Sequence, residues 1–429
     1  MPSLDWRAVA CRASHRAVEP ARRDFRPVGF IFGHRDIAVL LGCDFLLGLA
    51  SSFVGPFLSL FGEHEVGMGS AAFGLFMTLT SLSGIAISTM LARWSDTRFS
   101  RKSVLLLGAC AGILGYLGYA FVRSPIWLTV IGSLFLGVAG ITFSQTFALA
   151  RELLARAGLP SEDAPLYMNV FRLFFALAWT VGPALASMVM LRFSYVGTFL
   201  VAALCFAALA SAVAFLVPSR APTKEAGREL GLRATLRSLA RPELLAHFLG
   251  FVLVYACGSL CSVCLPLLVV ETLGGGAREV GIVYSVSPFF ELPLMLLFGA
   301  LATKGRSAIL IRAGVLLATA YYAALALVRA PWQIYPLQAI SAAITAITQG
   351  VAITFFQDFL PEQVGTATNL YANASSLGRI AGFLLFARLA AVLGYRGIFL
   401  MCAGLCAAAL LLMRAFRPDK RPTRYSRTH

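Results

Sequence analysis

Long apolar runs separated by short polar breaks make up most of the chain between residues 36 and 415. Most of these runs have about 20 residues or more, the length that a helix needs to cross the hydrocarbon core of a bilayer. The pattern therefore predicts an all-α polytopic membrane protein. Its twelve predicted transmembrane helices are 36–61, 70–92, 103–122, 126–150, 167–191, 195–217, 243–271, 278–301, 308–328, 332–356, 365–389 and 395–415.

The longest polar break within this region runs from Pro218 to Arg241, close to the middle of the chain. It divides the predicted helices into two groups of six, which we interpret as two lobes joined by a basic linker. The predicted organisation is a cytoplasmic N-terminal arm at 1–35, an N-terminal lobe at 36–217, a linker at 218–242, a C-terminal lobe at 243–415 and a cytoplasmic tail at 416–429.

Composition agrees with a membrane protein and excludes most other classes. Of the 429 residues, 59% are hydrophobic and 13% are charged, whereas soluble domains have about 45–50% and about 25%. Soluble multidomain enzymes, coiled coils and disordered proteins are excluded. The sequence has no phosphate-binding loop, no metal-ligand spacing and no nucleophile triad. We therefore expect no enzymatic activity, no cofactor and no metal site, and we expect a monomer.

Most of the positive charge lies in segments that the predicted helices place on one side of the membrane. The formal net charge is +16, and 27 of the 36 Lys and Arg residues lie in segments that share one side if the N-terminus is inside, against six on the other side. The positive-inside rule then predicts that both termini are cytoplasmic, in an inner (plasma) membrane of the bacterial type. This distribution favours contact with anionic membrane lipid and not with nucleic acid.

The two predicted lobes share a short sequence pattern. The segment 141–147, late in predicted helix 4, reads ITFSQTF, and the segment 353–359, late in predicted helix 10, reads ITFFQDF. A shift of six helices is expected when two lobes are parallel repeats related by an axis along the membrane normal. The repetition supports the division into two lobes.

Ionisable residues inside predicted helices are the strongest functional signal. A charge at the bilayer centre costs several kcal/mol unless it faces a cavity or a partner. Glu291 lies in the middle of predicted helix 8, Asp44 lies in helix 1 and Arg172 lies about one turn inside helix 5. Burial favours the protonated form of a carboxyl group, so that it can exchange a proton near neutral pH. We predict that Glu291 and Asp44 carry protons and that Arg172 balances charge. The alternative is a static ion pair that holds the bundle together.

A second group of candidates is polar without charge. Amide groups both donate and accept hydrogen bonds, and an aromatic ring stacks on the apolar face of a sugar ring. Interhelical hydrogen bonding is an equally good explanation for each of these residues. The candidate substrate contacts are Gln145, Trp179, Tyr284, Gln349, Asn369 and Asn373.

The loop after predicted helix 2 resembles the loop 2–3 signature of the major facilitator superfamily. The segment 92–102 reads ARWSDTRFSRK, with Ala and Ser where the family has Gly. Asp96 can cap a helix N-terminus, and Arg101 and Lys102 can pair with an acid at a helix end, such as Glu152. With Asp358 these residues form a predicted cytoplasmic latch for one gating state. The alternative is a solvated loop that only sets topology.

Several runs along residues 36 to 415 resemble the sugar efflux transporter family of the major facilitator superfamily. The segment 178–186, AWTVGPALA, is also similar to the antiporter motif of the superfamily, with Ala where Gly is usual. The resemblance implies twelve helices in two lobes and export of small sugars and glycosides in exchange for protons. The matching runs are PFLSLF at 56–61, QTFALARE at 145–152, Arg172 with Ala178-Trp179 and Gly182-Pro183, ELP at 291–293, FQDFLP at 356–361, GTAT at 365–368, and Asn373.

Two positions depart from that family. Cys264 stands before Leu265-Pro266 where the family has an acid, and Asp44 stands where a small neutral residue is expected. An acid in helix 1 is similar to drug:proton antiporters, so a multidrug exporter of the same fold is the alternative function. A membrane sensor without transport activity is a further alternative, but it would have no need of a costly charge in each lobe.

Overall fold

The computed structural model describes residues 27–97, 100–160, 163–218, 238–302, 306–360 and 363–416. Most of the predicted N-terminal arm, linker and tail lie outside these residues. The helices that we label in chain order are α1 (Arg35–Glu65), α2 (Ser70–Thr97), α3 (Arg101–Phe121), α4 (Pro125–Arg156), α7 (Pro242–Thr272), α8 (Ala277–Leu301), α9 (Ser307–Leu327) and α10 (Pro331–Phe359). A short helix, Pro27–Gly33, precedes α1.

Two further helical stretches each contain two helices joined by a single residue. Ala164–Leu216 breaks at Ser194 and Val364–Ala415 breaks at Gly394, both of which have positive φ. Each stretch has more than 50 residues, about 75 Å of helix, which is more than twice the thickness of the hydrocarbon core. We label the parts α5 (164–193), α6 (195–216), α11 (364–393) and α12 (395–415). Ten candidate membrane spans among the described residues are thus consistent with twelve crossings.

The structure repeats after 207 positions at the ends of α1 and α7. Both helices finish in a π-helical turn, at Phe61–Glu65 and at Leu268–Thr272. A glycine with positive φ follows each turn, at Gly67 and at Gly274. The backbone hydrogen bonds repeat too: Met68 N donates to Gly62 O and Gly275 N donates to Val269 O, both at 2.8 Å. This equivalence supports the two-lobe organisation more strongly than the sequence pattern does.

Small residues bring the central helices of each lobe into close contact. In the N-terminal lobe, a Cβ on Gly48 of α1 would lie 2.9 Å from the Ala178 Cβ and from the Phe175 carbonyl oxygen of α5. In the C-terminal lobe, a Cβ on Gly378 of α11 would lie 2.7 Å from the Val252 carbonyl oxygen of α7. Close packing of backbones is the main source of helix association in lipid, where burial of apolar side chains provides no driving force.

The lobes meet on one side of the bundle. We call the side that carries Arg35 and Ala415 the terminal face and the opposite side, which carries Ser194 and Gly394, the distal face. Near the distal face, a Cβ on Gly74 of α2 would lie 2.6 Å from the Ala387 Cβ of α11. Likewise, a Cβ on Gly281 of α8 would lie 2.7 Å from the Pro183 carbonyl oxygen of α5. These glycines allow the two lobes to approach to backbone contact in the distal half.

Candidate functional site

Residues of the C-terminal lobe line an open cavity of about 390 Å³, and Gln349 and Arg379 are exposed on its wall. Side chains from α7, α9, α10 and α11 line it, and most of the polar residues among them carry hydroxyl groups. Tyr255 closes one part of the wall, because its hydroxyl donates to the Thr348 carbonyl oxygen at 2.8 Å. The polar lining consists of Tyr255, Ser259, Ser262, Tyr321, Tyr322, Ser341, Thr345, Thr348, Gln349, Ser375 and Arg379. Of the predicted substrate contacts, Gln349 belongs to this cavity.

Arg379 is the charged group of this cavity, and sequence reasoning assigned it no role. It lies in the middle of α11, and Ser375, one turn earlier on the same helix, also lines the wall. Arg379 makes no hydrogen bond or ion pair with any residue that the structure describes. The sequence alone places this cation in the middle of a predicted spanning helix, which is a position typical of functional residues. What the sequence could not show was that this cation faces a cavity rich in hydroxyl groups.

A second cavity, of about 730 Å³, lies near the terminal face of the N-terminal lobe. Four arginines and one glutamate line it: Arg101, Arg151, Arg156, Arg172 and Glu152. Glu152 pairs with Arg101 at 3.4 Å and with Arg156 one turn later on α4. The pairing of Arg101 with Glu152 that the sequence suggested is therefore present. The cavity as a whole is strongly cationic.

Two further predicted latch residues, Lys102 and Asp358, make contacts within their own lobes. Lys102 does not contact Glu152; its Nζ donates to the Ala214 and Val217 carbonyl oxygens at 2.9 and 2.6 Å and so caps the end of α6. Asp358 accepts a hydrogen bond from Ser307 Oγ at 2.7 Å, which joins α10 to the start of α9. Asp96 lies in the last turn of α2, and its side chain is outside the described part of the structure.

Asp44 is completely buried in α1, and neither carboxylate oxygen has a hydrogen-bond partner among the described residues. It lies one turn before Gly48, on the side of α1 that packs against α5. No arginine of the described residues pairs with it, so the alternative of a static ion pair is not formed among them. A buried carboxyl group without a partner is costly in its charged form, and this favours a group that binds a proton.

Glu291 lies in the middle of α8 and is partly buried. It makes no hydrogen bond or ion pair with the described part of the chain. Tyr284 lies two turns earlier on the same face of α8, and its hydroxyl donates to the Ser262 carbonyl oxygen of α7 at 3.1 Å. One turn beyond Glu291, Met295 lies 3.7 Å from the position of a Cβ on Gly350 of α10, next to Gln349. Glu291 thus lies near the helices that enclose the C-terminal cavity.

The remaining predicted contacts are spread over both lobes. Trp179 of α5 packs its ring against Gly55 of α1, and its indole N–H is buried without a partner among the described residues. Gln145 of α4 is 4% exposed. Asn369 and Asn373 are exposed on α11. Asn369 is 18 residues, or five turns, before Ala387, and therefore lies on the face of α11 that meets α2 near the distal end. Helix α2 covers this face of α11 at the distal end, whereas the face is exposed at Asn369.

A cluster of titratable groups joins the lobes at the distal face, and sequence reasoning missed it. His64 Nε2 lies 2.9 Å from Glu271 Oε1, and these two residues are equivalent positions of the repeat, 207 apart. The Tyr395 hydroxyl of α12 lies 3.0 Å from Glu63 Oε2 and 2.9 Å from Glu271 Oε2. These residues lie at the ends of apolar runs, where the sequence alone gives no sign of a contact between the lobes. Their pairing depends on the symmetry of the fold.

Two bundles of six helices that meet on one side, with a polar cavity in each, define a membrane transporter. The sequence model of the family described as the Major Facilitator Superfamily matches residues 40–382 and 247–428 of this chain. A "Putative sugar efflux transporter" of Deinococcus radiodurans is 36% identical over 87% of this chain and 96% of its own length. "Sugar efflux transporter A" of Dickeya chrysanthemi is 31% identical over 87% of this chain and 93% of its own length. The chain therefore belongs to the Major Facilitator Superfamily and, within it, to the sugar efflux transporter family.

Solved structures agree on the fold. The crystal structure of the nucleoside transporter NupG matches with a TM-score of 0.77, covering 88% of this chain and 98% of that one at 13% identity. At this identity the match is informative about fold alone. The expected fold class, a major facilitator in two lobes, is confirmed, and the protein is a transporter and not an enzyme.

Proposed function

We propose that this protein exports small sugars or glycosides across the inner membrane in exchange for protons. The observation that carries the proposal is the similarity to sugar efflux transporters over nearly their whole length, 96% of the Deinococcus protein. The C-terminal cavity supports it, because hydroxyl and amide groups that both donate and accept hydrogen bonds suit a polyhydroxylated ligand.

We propose that transport proceeds by alternating access, with the substrate bound between the lobes. The lobes are in backbone contact in the distal half, at Gly74 and Gly281, while Asn369 and Asn373 are exposed towards the terminal face. If both termini are cytoplasmic, this conformation is inward-facing. Rocking of one lobe against the other would separate the distal cluster of Glu63, His64, Glu271 and Tyr395 and close the terminal side. Arg101, Glu152 and Asp358, with Lys102 and Asp96, would form the cytoplasmic latch.

Glu291 and Asp44 are the proposed proton carriers, one in each lobe. Both carboxyl groups lie within spanning helices, Asp44 buried without a hydrogen-bond partner among the described residues and Glu291 partly buried. Arg172 lines the cationic cavity and would favour the deprotonated state of an acid that approaches it during the cycle. Gln145, Trp179, Tyr284, Gln349, Asn369 and Asn373 are the proposed substrate contacts.

Accumulation of labelled lactose in inside-out membrane vesicles tests this function. The vesicle lumen corresponds to the outside of the cell, and respiration makes it acidic. We expect lactose to accumulate in the lumen, and the accumulation to be lost when nigericin collapses the pH gradient. Accumulation that is indifferent to nigericin would contradict proton exchange. Absence of any lactose movement, in vesicles that contain folded protein, would contradict export of this class of sugar.

Export of lipophilic drugs is a second candidate, and two observations favour it. A tetracycline resistance protein, class E, of Escherichia coli is 27% identical over 43% of this chain, and Asp44 places a buried acid in α1. A resistance screen separates the two functions. Cells that overproduce a drug exporter tolerate lipophilic cations, whereas a sugar carrier leaves their sensitivity unchanged.

A further inference from the structure

Arg379 has no counter-charge in its cavity. It is about 14 residues from either end of α11, or about 21 Å of helix, so it cannot serve as an anchor at the membrane surface. The described residues that line the cavity include no Asp or Glu. A cation at this depth is tolerated where it faces a cavity, and Arg379 is exposed on the wall of one that is large enough for a small solute. A cation without a counter-charge in such a cavity points to a ligand that supplies the negative charge.

The terminal side of the N-terminal lobe is cationic as well. The N-terminal cavity carries four arginines against one glutamate. The positive-inside rule accounts for Arg151 and Arg156, which lie near the end of α4. It does not account for Arg172, which lies eight residues inside α5 and lines the same cavity. Positive charge therefore extends from the terminal face to the depth of Arg172, an arrangement that concentrates anions there.

We propose that the C-terminal cavity binds the carboxylate of an acidic sugar, such as a uronic acid or its glycoside, at the Arg379 guanidinium. This inference rests on the proposed sugar export and narrows its substrate class. A guanidinium presents a planar pair of N–H donors that matches the two oxygens of a carboxylate. Ser341, Thr345 and Ser375 line the same cavity and provide hydrogen-bonding groups for the sugar hydroxyls.

The charge of the substrate has a consequence for energetics. An anion that leaves a cell with a negative interior gains about 2.3 kcal/mol per 100 mV. Exchange of one monovalent anion for one proton moves two positive charges inward. The membrane potential would therefore drive export of an acidic sugar even when the pH gradient is small.

A matched pair of ligands tests the proposal. The 4-nitrophenyl β-glucuronide and the 4-nitrophenyl β-glucoside differ only at C6, which is a carboxylate in one and a hydroxymethyl group in the other. Binding of both to the purified full-length protein is measured by calorimetry, and their export by uptake into inside-out vesicles. We expect the glucuronide to bind ~10-fold more tightly or better, because a charge-assisted bidentate contact replaces a neutral one.

Variants assign the preference to Arg379. Arg379→Gln should reduce the ratio of the two affinities to about 1. Arg379→Lys should retain part of the preference for the glucuronide, because Lys keeps the positive charge but not the planar pair of N–H donors. Arg388→Gln is the control: it removes the same charge from the same helix outside the cavity. Should Arg379→Gln fail to fold, as judged by gel filtration, Arg379→Lys still decides, since the proposal requires it to weaken glucuronide binding more than glucoside binding.

Each result is decisive. Equal affinity for the two ligands in the unaltered protein, or a preference that survives in the Arg379 variants, overturns the acidic-sugar proposal. Export of the glucoside without any preference for the glucuronide leaves sugar export standing and removes only this inference. If neither compound binds or moves, sugar export and the inference fall together.

Discussion

Ser194 and Gly394 form equivalent tight turns, yet only one of them is glycine. Their backbone angles are nearly the same: φ 55° and ψ −164° at Ser194, and φ 63° and ψ 173° at Gly394. Glycine adopts this region freely, whereas a residue with a Cβ is strained there. Each turn lets two spanning helices follow each other with one linking residue. Ser194 thus holds strain that its counterpart avoids.

Replacement at these two turns should change stability in opposite directions. We expect Ser194→Gly to raise the free energy of unfolding by about 1–2 kcal/mol and Gly394→Ala to lower it by about 1–3 kcal/mol. Thermal unfolding of the detergent-solubilised protein measures both. Gly404→Ala is the control, because Gly404 is helical and has open space at its Cβ position. Stabilisation by Gly394→Ala would contradict the interpretation.

The carboxyl group of Glu291 is expected to be needed for coupling and not for folding. Glu291→Gln keeps the size and the hydrogen-bonding capacity of the side chain but removes the exchangeable proton. Uphill export of sugar should be lost, while exchange of labelled for unlabelled sugar at equal pH should stay within about threefold of the original rate, because that exchange needs no net proton movement.

Glu279→Gln provides the control on the same helix. Glu279 accepts a hydrogen bond from the Gly276 N–H at 2.8 Å, and glutamine can still accept it. This variant should export normally. Full proton-driven export by Glu291→Gln would remove Glu291 from the coupling mechanism.

At the scale of single residues, the sequence identified costly groups but not their surroundings. Glu291 and Asp44 were identified because a charge within an apolar run is expensive. The cavity around Arg379 depends on four helices that are distant in sequence. The distal cluster was not predicted for a different reason: His64 and Glu271 lie at the ends of two helices that are far apart in sequence, and only the symmetry of the two lobes brings them within 2.9 Å.

Between elements, the contact of α5 with α8 holds the distal half closed. Gly281 allows it, since a Cβ there would lie 2.7 Å from the Pro183 carbonyl oxygen and 2.8 Å from the Ser187 Cβ. The Ala184 N–H also donates to Ser285 Oγ at 3.2 Å across the same contact. Backbone atoms at this distance cannot move aside without separating the helices.

Gly281→Ala should therefore weaken distal closure. In a cysteine-free background, we expect a cysteine placed at Ser187 to react at least ~5-fold faster with an impermeant maleimide applied from the distal side, because a forced separation of packed helices exposes their interface. Gly299→Ala is the matched control, five turns along the same face of α8 with open space at its Cβ position. Equal labelling of the two variants would contradict the assignment of this contact as the distal closure.

Helix positions followed closely from the apolar runs, but helix ends did not. The apolar run 126–150 lies within the longer helix α4, Pro125–Arg156, and the run 70–92 lies within α2, Ser70–Thr97. Apolar residues mark the depth of the hydrocarbon core, whereas backbone hydrogen bonding continues past it into polar sequence. The one-residue turns at Ser194 and Gly394 were also beyond prediction, because a short polar break does not reveal backbone angles.

For the whole molecule, orientation follows from charge. Since 27 of 36 Lys and Arg residues belong to segments of the terminal side, we expect both termini to be cytoplasmic. Green fluorescent protein fused after residue 429 should fluoresce, and alkaline phosphatase fused at the same point should be inactive. Active phosphatase there would reverse the orientation and make the present conformation outward-facing.

Exchange of sugar for protons is the central claim, and the sign of a pH change tests it directly. Purified protein is reconstituted into liposomes that contain a pH-sensitive dye, and lactose is added outside at equal pH. Exchange predicts that the lumen becomes alkaline as lactose enters, and that Glu291→Gln abolishes the change. Entry of lactose with no pH change, or with acidification of the lumen, would contradict the account, because the first is uncoupled transport and the second is co-transport.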